Sequence, residues 1–158
     1  MYGAGDEKLG EGSKKEGRRI RNCLMERFPA LEKLTTLVKQ AATERGYLIG
    51  IDGRKIPVEQ DHTALNYLLQ SAGGVLMKKA LVILDGWLQA EGLKPGLDYE
   101  FVLNVHDELQ IEVKAVGDWP EFVAKKASDA IAEAGRMFKF KCPHKGSWSI
   151  GSNWAETH

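Results

Sequence analysis

Two cysteines, Cys23 and Cys142, are too few for a disulfide framework, and neither sits in a C-x-x-C pair, so a zinc cluster is excluded as well. An excess of charge of one sign is also missing, since 22 Lys+Arg stand against 22 Asp+Glu. A chain without net charge is not a supercharged nucleic-acid arm; any basic surface on it has to be local and balanced elsewhere. Five prolines among 158 residues exclude a collagen. Strongly apolar stretches are only a few residues long, so no transmembrane helix and no membrane partner are expected. Residues Met1 to Asp6 lack a basic region and an apolar region, which excludes a signal peptide there. The expectation is a soluble, intracellular protein.

What is present is globular. The apolar fraction is 43%, and a chain of this length buries roughly 70% of its unfolded surface. Glycines at 3, 5, 10, 12 and 17 crowd the start, but Gly3-x-Gly5-x-x-Lys8 is not a dinucleotide fingerprint, because no strand precedes it. Lys14, Lys15, Arg18, Arg19 and Arg21 overlap a helical pattern in which Ile20, Leu24, Phe28 and Leu31 share a face. They suit either a solvated helix face or a stripe of phosphate contacts. Pro29 ends that helix and starts the next, over 29–45, with Gly46 as its cap and Leu31, Leu34, Leu37, Val38 and Ala41 as its buried stripe. Residues 47–58 read as a hairpin turning at Asp52-Gly53. Asp61 is the expected N-cap of a long helix over about 62–91, interrupted by Gly73-Gly74. A second hairpin is expected over 99–114, then a helix from Trp119 to Met137 and a last strand over Phe138–Cys142. The order predicts an α+β fold with antiparallel hairpins packed against long helices.

Two segments carry candidate chemistry. Val105-His106-Asp107-Glu108 puts three ionisable groups at the turn between two apolar strands, and a hairpin tip holds a carboxylate rigidly. By itself the string fits a solvated tip equally well. Asn66 and Gln70 are four residues apart, hence on one helical face, offset from the leucine stripe. Two amides in line suit the acceptors of a nucleic-acid minor groove, which are nearly independent of sequence. They also suit ordinary exposed helix amides.

Four blocks taken together resemble the family A (Pol I-like) DNA polymerases, particularly the bacteriophage branch. Tyr2-Gly3-Ala4-Gly5-Asp6 resembles the end of the fingers motif, and Asp52-Gly53-Arg54-Lys55 with Ala64-Leu65-Asn66 through Gly73 resembles the next block. Val105-His106-Asp107-Glu108 resembles the palm motif C, and Gly151-Ser152-Asn153-Trp154 to His158 the terminal peptide. The resemblance implies that Asp107 is a catalytic metal ligand, with Glu108 beside it as a weaker contributor and His106 at the primer end. It implies that Asn66 and Gln70 touch the primer–template minor groove, that Tyr2 stacks near the templating base and that Arg54 lies among the DNA contacts. It further implies two magnesium ions in the complete site, primer–template DNA and deoxynucleoside triphosphate as partners, and a bacterial or phage-infected cytoplasm. Residues 1–46 would form the rear of the fingers and 47–158 part of the palm.

The family's second metal-binding aspartate, in motif A, has no counterpart here. Asp6, Asp52, Asp61, Asp85, Asp98, Asp118 and Asp129 all lack its context. The triphosphate-binding helix would precede Met1. The chain is therefore expected to be the C-terminal quarter of a polymerase, inert alone. It would be one subunit of a split enzyme completed by an N-terminal chain, a truncated product, or a non-catalytic DNA-binding module.

Overall fold

The computed structural model describes residues 5–105 and 107–157. They form two compact units, residues 1–72 and 73–158.

The first unit opens with α1 (Asp6–Leu9), α2 (Lys14–Arg27) and α3 (Pro29–Arg45). Ser13 caps α2 by accepting the Glu16 N–H at 3.3 Å, the first half of a capping box. Pro29 starts α3, and the Gly46 N–H, in the left-handed region, closes it on the Ala42 carbonyl at 2.8 Å. Val38 and Ala42 meet Leu48 and Ala64 in a small core, with Ala41, Ile56, Leu65 and Leu68 around it. Much of the expected stripe lies outside that core: Leu34 is 44% and Leu37 53% exposed, and Phe28 is 54% exposed. Leu34 shares the face of Val38 and Ala42 but lies a turn earlier, beyond the core, and Leu37 lies about 100° around the helix from Val38.

The first hairpin pairs β1 (Tyr47–Ile49) with β2 (Lys55–Pro57). Its loop is five residues, not a two-residue Asp52-Gly53 turn. The Gly50 N–H donates to the Arg54 carbonyl at 2.8 Å and the Gly53 N–H to the Gly50 carbonyl at 3.0 Å, which stops the ladder at Ile49. Asp61 also differs from expectation. It lies inside a short 3-10 turn, Asp61–Thr63, whose N-cap residue is Gln60. The helix proper, α4, is Ala64–Ala90, and runs unbroken through Gly73-Gly74, neither of which has another part of the chain near its missing side chain.

The second unit takes the rest of α4, the hairpin β3 (Tyr99–Val105) and β4 (Glu108–Val113), α5 (Trp119–Met137) and the short α6 (Trp154–Thr157). Leu76, Ala80, Leu84 and Leu88 of α4 recur at one-turn spacing and pack on Val123, Ala130 and Ala134 of α5, with Tyr99 and the β4 residues Leu109, Ile111 and Val113. The strand expected over Phe138–Cys142 does not form. Lys139 adopts a left-handed conformation, its N–H returns to the Arg136 carbonyl at 2.9 Å, and the Phe140 N–H returns to Gly135 at 3.0 Å. This paired closure is a Schellman turn. It spends those backbone donors on ending α5.

Helices with two separate antiparallel pairs bear out the α+β expectation. One expectation is corrected by the long helix. Asp61–Ala90 holds an 18-residue window with mean hydropathy 1.3, so by length and composition it is apolar enough to cross a membrane. The apolar residues are dispersed among Lys78, Lys79 and Asp85, and Ala64, Leu76, Ala80, Leu84 and Leu88 are buried in protein. Within the described residues, 22% of that window is buried inside the structure.

Candidate functional site

The 99–113 hairpin positions the first candidate site. Tyr99 pairs with Val113 and Phe101 with Ile111, but Leu103 then pairs with Gln110, so Val102 is an extra residue, a bulge. A bulge reverses which face the following residues take. Leu103 and Val105, continuing the alternation of Tyr99 and Phe101, would otherwise face the core. Instead they share a face with their partners Gln110 and Glu108, opposite the core residues Leu109, Ile111 and Val113. Glu108 faces outward by the alternation of β4, and the bulge brings Leu103 and Val105 onto that same face.

Val105 pairs with Glu108, so Glu108 belongs to β4, and Asp107 lies outside the ladder next to it. His106 lies outside the described residues. Asp107 is exposed, and among the described residues its carboxylate has no hydrogen bond or ion pair. Glu108 is half-buried, and Gln110, two residues on and therefore on the same strand face, donates Nε2–H to its Oε1. Gln110 escaped sequence reading; the signal available was its i, i+2 spacing from a candidate carboxylate.

The second candidate site is on the first turns of α4. Gln70 is exposed, and with Ile56, Pro57, Glu59, Tyr67 and Ser71 it lines a shallow groove of about 450 Å³. Asn66, one turn earlier, is half-buried; its Oδ1 is sealed from solvent and accepts no hydrogen bond from a described residue. An unpaired buried amide oxygen costs about 1–3 kcal/mol. Tyr67, Ser71 and Glu59 were not singled out from the sequence; their part in the groove depends on β2 lying beside α4.

Arg54 is exposed and already paired. Its Nε donates to Asp52 Oδ2, and its backbone N–H to Asp52 Oδ1 at 3.2 Å. The guanidinium holds the Asp52 carboxyl below its usual range. Three arginines of the basic stripe on α2 are partnered too: Arg21 lies 2.7 Å from Asp6, Arg18 3.9 Å from Asp6 and Arg19 2.6 Å from Glu16. Tyr2 lies outside the described residues. Among the described residues no three His, Cys, Asp or Glu side chains converge as a metal site.

Comparison with known proteins bears on the whole length. The family model for DNA polymerase family A matches residues 1–156. The DNA-directed DNA polymerases of Enterobacteria phage T3 and Escherichia phage T7 are each 32% identical over all of this chain and 25% of their own length. DNA polymerase I of Pseudomonas aeruginosa is 28% identical over 92% of the chain and 16% of its own. The chain thus spans about a quarter of the length of the phage relatives. Among solved structures, the POL domain of Pol1 from M. smegmatis in complex with DNA primer-template and dNTP superposes with a TM-score of 0.70 over 84% of this chain and 25% of that one, at 22% identity, a likeness of fold. With its motifs in order and the family model covering nearly every residue, the chain belongs to DNA polymerase family A.

Proposed function

We propose that these 158 residues are the part of a template-directed DNA polymerase that presents one metal-binding carboxylate to the primer end and two amides to the primer–template minor groove. The observation that carries the reading is the end of this hairpin: in a family A chain, Val105 pairs with Glu108, and Asp107 beside them is exposed and, among the described residues, without a partner.

The donor set fits magnesium in part. Magnesium prefers carboxylate oxygen and keeps several waters, and no cation of the described chain occupies Asp107. Asp107 would be the direct ligand. Bound there, the metal would supply charge neutralisation on the transferring phosphate and a lower pKa for the attacking hydroxyl. Glu108, tied to Gln110, orients rather than ligates. The remaining ligands and the triphosphate clamp come from residues outside these 158, on the same polypeptide or on a separate chain. Gln70 offers its amide N–H groups to purine N3 and pyrimidine O2, which lets the enzyme test pair shape without reading sequence.

The test is single-turnover nucleotide addition by the chain combined with a polypeptide carrying the other three quarters of a phage family member, at saturating magnesium. Asp107→Ala and Asp107→Asn should both remove nearly all turnover while primer–template binding survives. Glu108→Ala should leave a measurable rate, reduced about 10–100-fold. A more damaging Glu108→Ala would reverse the assignment. Duplex binding with no synthesis in any combination would instead establish a DNA-binding module.

A further inference from the structure

The segment after α5 carries charge and rings that the reading above does not use. Between Glu133 and Glu156 the chain has no acidic residue, yet it carries Arg136, Lys139, Lys141 and Lys145. In a chain with no net charge, that is a segregated basic stretch. Lys139, Lys141 and Lys145 are exposed, and none has a carboxylate partner among the described residues. Aromatic rings alternate with them: Phe140 is 37% and Trp148 51% exposed, and His144 packs edge-on against Phe140 at 4.7 Å between centroids.

Two of these rings, Phe140 and His144, border with Trp87 a cavity of about 650 Å³ whose lining also includes Glu91, Asp129 and Gly135. Gly135 is what lets His144 approach α5, since a Cβ there would lie 2.6 Å from His144 Nδ1. That Nδ1 is itself sealed and unpartnered among the described residues. The cations in the cavity lining are neutralised: Lys126 is 2.8 Å from Glu91 and sits over the Trp87 ring, and Arg136 pairs with Glu133. Free positive charge on this segment is left to the three lysines, which lie outside the lining.

We propose that residues 138–150, with the cavity they border, bind an unpaired strand of nucleic acid, using none of the residues of the hairpin tip. Lysines alternating with open ring faces suit a strand whose phosphates are tracked by charge and whose unstacked bases lie on aromatic rings. A duplex hides its base faces, and an acidic peptide has no use for the rings. The proposal rests on the polymerase reading only in making nucleic acid the partner.

The experiment titrates the full 158-residue chain with fluorescent oligo(dT) and follows both anisotropy and tryptophan quenching at several salt concentrations. An oligonucleotide with no duplex cannot use the minor-groove amides, so failure here leaves the polymerase reading standing. The triple variant Lys139→Ala, Lys141→Ala, Lys145→Ala should weaken binding at low salt at least tenfold. It should also flatten the log–log salt slope by about 2, at roughly 0.7 per phosphate contact. Phe140→Leu, which keeps the apolar volume but loses the ring, should weaken binding about tenfold and leave the slope unchanged. Unaltered affinity in the triple variant overturns the proposal. Equal binding to a blunt duplex, or displacement by polyglutamate with Phe140→Leu binding as the parent does, also overturns it in favour of a generic anion patch.

Discussion

Gly17 has no room for a side chain. It is the buried residue of α2, and a Cβ there would fall 1.7 Å from the Asp6 carbonyl oxygen. A backbone atom cannot rotate away, so Gly17→Ala has to push α1 off α2. We expect a loss of about 1–3 kcal/mol, the range for overpacking, read as a shift of the urea midpoint at unchanged slope. Tyr99 is buried, and its hydroxyl donates to Asp85 at 2.5 Å. Burial first, then the neighbouring carboxylate, pushes its pKa up to about 12. The folded chain thus holds the phenolic proton more tightly than the unfolded chain, whose tyrosines titrate near 10. The contribution of Tyr99 is full below pH about 10 and is lost as pH rises through about 12. Urea midpoints across that window should fall more for the parent than for Tyr99→Phe; parallel curves would remove Tyr99 as the cause.

Elements end where a side chain or a turn takes over the backbone groups. Before α6, the carboxylate of Glu156 accepts the Ser152 N–H at 2.8 Å, the Ser152 hydroxyl, and Asn153 Nδ2 at 2.9 Å. These bonds, the Ser152 backbone N–H foremost, hold the Glu156 pKa below its usual value. A lowered carboxyl stabilises its element above the unfolded pKa and stops doing so as pH falls through the folded value. Protection against amide exchange, relative to the intrinsic rate at each pH, should therefore fall at Ser152 and through Trp154–Thr157 below pH about 4.5, and Glu156→Gln should show low protection at every pH. Exchange in α6 that ignores acid would show that another contact holds the terminus. The β3 bulge belongs to this scale too. Alternation of apolar residues in Tyr99–Val105 is legible, but one extra residue reverses its outcome, so Leu103 and Val105 are outside, on the face that Glu108 takes by the alternation of β4.

At the scale of the molecule, the chain carries one exposed motif carboxylate and no converging set of metal ligands among the described residues. Two-metal phosphoryl transfer needs more oxygen ligands than Asp107 offers. The purified 158-residue chain is expected to extend no primer, whereas the combined enzyme should synthesise in a magnesium-dependent way. Steady extension by the chain alone, in a gel assay with a traceable primer, would refute the proposed division of the site.

Much of this protein is written locally. Pro29 and Gly46 bound one helix and Trp119-Pro120 opens another, because a fixed φ, a missing N–H or a left-handed cap acts on its own neighbours. The antiparallel hairpins and the α+β class follow from alternation and turn residues in the same local way, and so does the placing of Asp107 at a turn. What the tertiary structure decided is whatever depends on residues far apart in sequence. Which half of the apolar face of α3 is covered depends on Leu48 and Ala64. Whether Phe138–Cys142 extends as a strand depends on the closure of α5, with a left-handed Lys139 that no local rule favours. That Gln70 lines a groove while the Asn66 oxygen is sealed depends on β2 beside α4. Periodicity names the residues able to be buried, but only the competition among distant surfaces for a limited contact area selects those that are.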